Sequence, residues 1–238
     1  MDRIRSFLFL TFMWISIPIA TLIFLLCYPI DYKYRSKIIS YWSKINLQVL
    51  SFLCNLKHVV IGLENIPEQP CIIFCKHQST WETMALQLYF TPQVWILKRE
   101  LLWVPFFGWT LATMKSIAIN RSDGKKALKK IIEQGTLRLQ EGNWIIIFPE
   151  GTRTRPGQKE TYKIGGAMLA KHSSFEVLPI AHNSGEFWPK GQFVKKSGTI
   201  KFVIGPVISV KDKSAKQINQ QAESWIESTV SELYEQEY

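Results

Sequence analysis

The sequence predicts an α/β fold: a mixed, largely parallel sheet flanked by helices and preceded by an N-terminal membrane-embedded helical hairpin. Three observations carry this. From Ser6 to Ile30 there are 25 residues without a charge. Beyond Leu56, short apolar runs of strand length alternate with segments of helical period. Finally, 47% of the 238 residues are hydrophobic and 20% charged, which supplies a core and excludes both a disordered chain and a multi-span transporter. The expected division is a membrane-associated hairpin over 1–56 and one α/β domain carrying the chemistry over 57–238.

Taken in order, the uncharged segment would be roughly 37 Å long as a helix, enough to cross a hydrocarbon core of about 30 Å. Arg3 and Arg5 precede it as in a signal peptide, but the apolar run is too long and no small-residue cleavage site follows. Pro18 removes a backbone donor in its middle and predicts a kink or break, so a re-entrant segment competes with a full span. From Tyr34 to Leu56 the residues Ile38, Trp42, Ile45, Val49, Phe52, Leu53 and Leu56 recur at helical spacing, with Lys37 and Lys44 on another face. This amphipathic helix either lies at a lipid interface or packs its stripe on the protein.

Strands are predicted at His58–Ile61, Cys71–Cys75, Val94–Leu97, Ile117–Ile119, Trp144–Phe148, Val177–Ala181 and Thr199–Ile204. Helical patterns fall near Thr83–Leu88, Gly124–Gln140 and Gly166–His172. A last amphipathic helix repeats Ile218, Ala222, Trp225, Ile226, Val230 and Leu233. Strands alternating with helices predict a sheet covered on both faces.

The net charge is +10, but residues 214–238 hold one Lys and five Glu, so the preceding chain carries +14. Such a body is drawn to anionic partners. The apolar N-terminus favours a lipid surface over nucleic acid, for which no binding module is recognisable. Lys125, Lys126, Lys129 and Lys130 on one predicted helix read as a solvated or membrane-facing surface. Four cysteines without a CxxC pair suggest neither zinc nor a disulfide framework.

His77 is the distinctive histidine. It follows an apolar strand and leads into a helix, placing the imidazole at the carboxyl end of the sheet where ligands bind. Glu82, five residues on, can fix the ring's tautomer so that its other nitrogen takes a proton from a hydroxyl. Ser79-x-x-Glu82 is equally a capping box, and spacing alone leaves both readings open.

His77-x-x-x-x-Glu82 resembles the His-x-x-x-x-Asp signature of the glycerolipid acyltransferases, and three more blocks follow in that family's order. Lys98-Arg99-Glu100-Leu101 with Pro105, Gly108 and Asn120-Arg121 resembles the second, Phe148–Thr154 the third, and Val177–Asn183 the fourth. The resemblance covers about residues 58–206 and is strongest to the family's 1-acyl-sn-glycerol-3-phosphate acyltransferases. Two departures stand out: Glu82 replaces the usual Asp, and Lys76 replaces an Asn that often precedes the His.

The resemblance implies acyl transfer from an acyl thioester, acyl-CoA or acyl-carrier protein, to the sn-2 hydroxyl of lysophosphatidate, giving phosphatidate. His77 would be the base and Glu82 its orienting partner. Lys98, Arg121, Glu150, Gly151, Thr152 and Arg153 would bind substrate. The thioester is already activated, so neither metal nor cofactor is expected. Arg153 and Arg121 offer forked donors for a phosphate. Glu150 would repel the phosphate and is expected to brace an Arg or bind an acceptor hydroxyl.

A hydrolase would need a G-x-S-x-G elbow, which is missing, and Cys75 reads as a core residue rather than a nucleophile. A nonenzymatic membrane adaptor would not explain polar residues clustered at successive strand ends. The expected location is a membrane, the inner one in a bacterium, with the catalytic domain facing the cytoplasm. Basic residues flank both ends of the uncharged segment, so charge bias does not force a crossing.

Overall fold

The computed structural model describes residues 1–235. Residues 236–238, the end of the expected 57–238 domain, lie outside the described residues.

The chain opens with two long helices, α1 (Asp2–Leu26) and α2 (Tyr32–Cys54). Asp31 caps α2 by accepting a hydrogen bond from the Lys33 amide at 2.8 Å. The elements that follow are β1 (Leu56–Ile61), β2 (Ile72–Cys75), α3 (Trp81–Tyr89), β3 (Gln93–Lys98), α4 (Phe107–Thr113), β4 (Ile117–Ile119), α5 (Lys125–Gln140) and β5 (Trp144–Ile147). Then come α6 (Gly165–Ser173), β6 (Val177–His182), α7 (Ser184–Phe187), β7 (Gly198–Ile204) and α8 (Ala215–Glu235).

The seven strands form one sheet in the order β1-β7-β6-β2-β5-β3-β4. All neighbours run parallel except β6 and β7. The expected mixed, largely parallel sheet is therefore present. Its centre is buried on both faces, as the unbroken apolar runs Ile72-Ile73-Phe74-Cys75 and Trp144-Ile145-Ile146-Ile147 require. Helix α6 fits tightly because Gly166 faces the Phe74 ring, where a Cβ would come within 2.6 Å. The carboxyl ends of β2, β3, β4, β5 and β6 share one edge, and the site is assembled there.

Two expectations are corrected. Helix α1 continues unbroken through Pro18. The adjoining turn is tied down instead: Ser16 Oγ donates to Met13 O at 2.8 Å and accepts from Trp42 Nε1 at 3.0 Å. Helix α2 packs on the protein, with Ile38, Trp42, Val49 and Leu53 of the expected stripe lying against the core. It buries Ser36, Ile39, Ser43, Asn46, Leu47 and Leu50, whereas Ile45 and Phe52 stand exposed. Toward α1 the helix presents Trp42 and Asn46, both directed at Ser16. Leu56 begins β1 rather than ending the helix.

Helix α1 lies along the domain, held near both ends. The Lys195 amide donates to Ser6 Oγ at 2.8 Å, and Phe9 packs edge-on to Trp188 with ring centroids 5.5 Å apart. Toward its other end, Thr21 Oγ1 is 3.0 Å from Thr110 Oγ1 on α4. The remaining face exposes Phe7, Trp14, Ile15, Leu22 and Ile23.

Candidate active site

The turn after β2 carries His77 and continues into α3, whose first turn holds Glu82. His77 Nδ1 lies 2.8 Å from Glu82 Oε1. The same carboxylate accepts from the backbone amides of Gln78 and Ser79, each at 2.9 Å, and from Ser184 Oγ at 3.1 Å. Orienting the ring and satisfying the helix start are thus one arrangement, and the extra methylene of Glu82 is accommodated. The imidazole stacks on Phe148, with centroids 3.8 Å apart and planes 11° from parallel. With Nδ1 donating to the carboxylate, Nε2 is the basic nitrogen, and it has no hydrogen-bond partner among the described residues.

Burial alone would raise the Glu82 carboxyl, but the hydrogen bond from His77, the neighbouring imidazoles and the Ser79 amide hold it down at about 2. Burial lowers His77 below its ordinary value despite Glu82, with Arg153 and Lys190 lowering it further. The pair at neutral pH is therefore a carboxylate and a neutral imidazole, the state a general base requires.

The turn after β5 grips the backbone of His77. Thr154 donates through its amide at 2.8 Å and its hydroxyl at 3.2 Å to His77 O. Glu150 Oε2 accepts from the His77 amide at 2.7 Å. Gly151 makes this turn with φ at +75°, and its carbonyl accepts from Arg121 Nη1. Arg121, at the end of β4, is thereby hooked onto the segment that presents Arg153, and partial burial lowers its pKa.

The sequence-predicted residues divide accordingly. His77 and Glu82 are in contact, and Arg121 meets Gly151. Arg153 is half-buried and near enough to depress His77 electrostatically. Thr152 and Lys98 are exposed, Lys98 at the carboxyl end of β3, and neither hydrogen bonds to His77 or to the two arginines. Glu150 differs from its expected place. Its side chain is fully buried against Lys76 at 2.7 Å, so it braces a lysine rather than an arginine and stands behind the turn instead of on its open side. Burial raises its carboxyl to about 7 against the pull of Lys76, the His77 amide and Thr154.

Lys76 spends its charge inside the protein, being 1% exposed with Nζ also 2.7 Å from Glu227 Oε1. Cys75 is fully buried, and that burial, with Glu82 and Glu150 nearby, pushes its thiol well up. A thiol so placed cannot meet a donor.

Sequence reasoning did not assign roles to Phe148, Thr154, His182, Ser184, Tyr162 or Glu227. His182 Nε2 donates to Lys76 O at 2.8 Å, and the Ser184 amide donates to its Nδ1 at 3.3 Å. Phe148, Thr154 and His182 stood within the recognisable blocks. Nothing in the sequence marked Ser184, Tyr162 or Glu227.

An ionised carboxylate holding a neutral imidazole lies at the carboxyl edge of an open sheet, with arginines beside it and the nearest thiol buried, an arrangement suited to activating a hydroxyl. The family described as Acyltransferase matches residues 57–183. A 1-acyl-sn-glycerol-3-phosphate acyltransferase of Pseudomonas aeruginosa is 45% identical over 208 residues, covering 86% of this chain and 80% of that protein. One of Borreliella burgdorferi is 29% identical, covering 69% and 66%. In architecture the chain is similar to the crystal structure of the 1-acyl-sn-glycerophosphate acyltransferase PlsC from Thermotoga maritima, with TM-score 0.81, 23% identity and 98% of each chain covered. The chain belongs to the acyltransferase family.

Proposed function

We propose that the enzyme transfers an acyl group from a thioester, carried by CoA or by acyl-carrier protein, to the sn-2 hydroxyl of lysophosphatidate, forming phosphatidate. The observation that carries this is the His77–Glu82 pair at 2.8 Å beside a turn that presents Arg153 and engages Arg121. His77 Nε2 takes the hydroxyl proton as the alkoxide oxygen attacks the thioester carbonyl. The C–S bond then breaks, and the departing thiolate takes the proton from His77. Glu82 holds the tautomer and stabilises the imidazolium between these steps. Arg153 and Arg121 bind the acceptor's phosphate, with Lys98, Gly151 and Thr152 lining its approach. The thioester arrives activated, so the reaction uses no resident cofactor or metal.

Membrane attachment belongs to the same proposal. Helix α1 is long and apolar enough to cross a bilayer, but its contacts through Ser6 with Lys195 and through Thr21 with Thr110 favour a helix lying along the domain with its open apolar face in lipid. The insoluble acceptor is taken from that lipid and the soluble donor from the cytoplasm, which places the domain on the cytoplasmic face, of the inner membrane in a bacterium.

The test crosses purified enzyme with acyl-CoA and acyl-carrier-protein donors and a panel of lysolipids, read by mass spectrometry. Phosphatidate as the main product supports the proposal. Free fatty acid without acylated lipid would indicate a hydrolase, and retained liposome binding with no turnover a nonenzymatic adaptor.

A further inference from the structure

Behind the imidazole lies a buried ionic cluster with no place in the reaction as written. Lys76 Nζ stands 2.7 Å from Glu150 Oε1 and 2.7 Å from Glu227 Oε1, and Tyr162 OH donates to the same Glu227 oxygen at 2.9 Å. Thr154 Oγ1 shares its one proton between His77 O and Glu150 Oε1, 3.1 Å away, and the other Glu150 oxygen takes the His77 amide at 2.7 Å. The chain of contacts therefore runs Glu227, Lys76, Glu150, His77 backbone. Its far end belongs to α8, outside the segment matched by the family.

Burying one ammonium between two carboxylates is costly in stability, and apolar side chains in place of a whole such cluster often leave a protein as stable or more so. Yet α8 puts Glu227 on the face that buries Ala222, Ile226 and Val230, where packing would be served by another apolar residue. Its carboxylate does something packing does not need. Without it Lys76 loses one of its two acceptors. The ammonium is then drawn to Glu150 alone and pulls on the carboxylate that fixes the His77 amide and belongs to the turn presenting Arg153.

We infer that Glu227, acting through Lys76 and Glu150, is a positioning residue for the reaction, so that the C-terminal helix sets the geometry of the base. This rests on the proposed acyl transfer for its kinetic consequence, but its structural consequence is readable without turnover. Lysine at position 76 is long enough to reach a carboxylate on α8.

The test compares Glu227→Leu with Glu227→Gln in the full-length protein, Glu227→Met replacing the leucine variant if that one does not fold. The expected result is that Glu227→Leu still melts cooperatively while its kcat falls about ten-fold, as a small misplacement of a base would cause. Peptides covering residues 76–82 and 149–155 exchange amide hydrogen faster in that variant. Glu227→Gln, whose amide oxygen accepts from both Lys76 and Tyr162, recovers most of each change. Exchange at both segments equal to wild type in Glu227→Leu would overturn the inference whether or not the enzyme turns over. So would a kcat loss accompanied by a matching fall in melting temperature and no recovery in Glu227→Gln. If wild type transfers no acyl group but the exchange pattern appears, the acyl-transfer reading fails and the positioning stands.

Discussion

At the His77 end of the site the groups around the imidazole are paired before any substrate arrives, whereas at the Arg153 end the cations are exposed or half-buried and largely unpaired. Glu82 takes four donors, and both the amide and the carbonyl of His77 are held by the turn after β5. By contrast Lys98 and Arg153 have no hydrogen-bond partner among the described residues, and only Arg121 is tied, to Gly151. A base acts on a proton it must meet within hydrogen-bond distance, so its rigidity is built in advance. A phosphate brings its own acceptors and completes the charges when it binds. The difference predicts that damage at one end appears in kcat and at the other in the acceptor's KM.

The sharpest way to break that comparison is His77→Ala, for which kcat should fall at least about 100-fold, or about 2.7 kcal/mol of transition-state stabilisation. Glu82→Gln should follow closely, since the amide neither balances an imidazolium nor accepts from every donor that the carboxylate serves. An active, folded His77→Ala enzyme would remove the base from the account. Arg153→Ala should raise the acceptor KM about ten-fold with little change in donor KM, and Arg153→Lys should recover only part because an ammonium lacks the forked geometry. Equal weakening toward both substrates would contradict the division of labour. Raising ionic strength to about 0.5 M should raise the acceptor KM a few-fold and leave kcat unchanged, because screening reaches exposed charges and spares buried pairs. Cys75→Ala should change kcat less than about two-fold. Loss of activity there, with a trapped acyl adduct, would replace the base mechanism with a covalent one.

The same contrast explains what was legible in the sequence. All seven strands were placed because each is a short apolar run in a largely buried sheet. Helices α4 and α7 were not, being seven and four residues long and too short to show a period. The apolar stripe of α2 marks only part of its packing face, which also takes in Ser36, Ser43 and Asn46, residues that read as polar surface. Within the site, contacts local in sequence were the readable ones: Glu82 lies five positions from His77 on the next helix. Thr154 was passed over for Thr152 because direction along a turn is not encoded in spacing. Glu150 is expected to brace an Arg or bind an acceptor hydroxyl because its lysine partner cannot be foreseen from sequence. Glu227, 151 positions from Lys76, meets it only through the fold.

The central claim is that a neutral His77, held by Glu82, is the base. The most direct measurement is the titration of the His77 ring by NMR beside the pH dependence of kcat on the same protein. Burial lowers the ring below the ordinary 6.5, so the rate should rise with pH through a limb lying below that value and level off by neutrality. The midpoint of that limb should coincide with the ring's own titration. In Glu82→Gln, which removes the interactions that raise His77, both should move together to lower pH while the plateau rate falls. A ring that titrates apart from the rate, or a limb that stays in place when Glu82 is neutralised, would contradict the account.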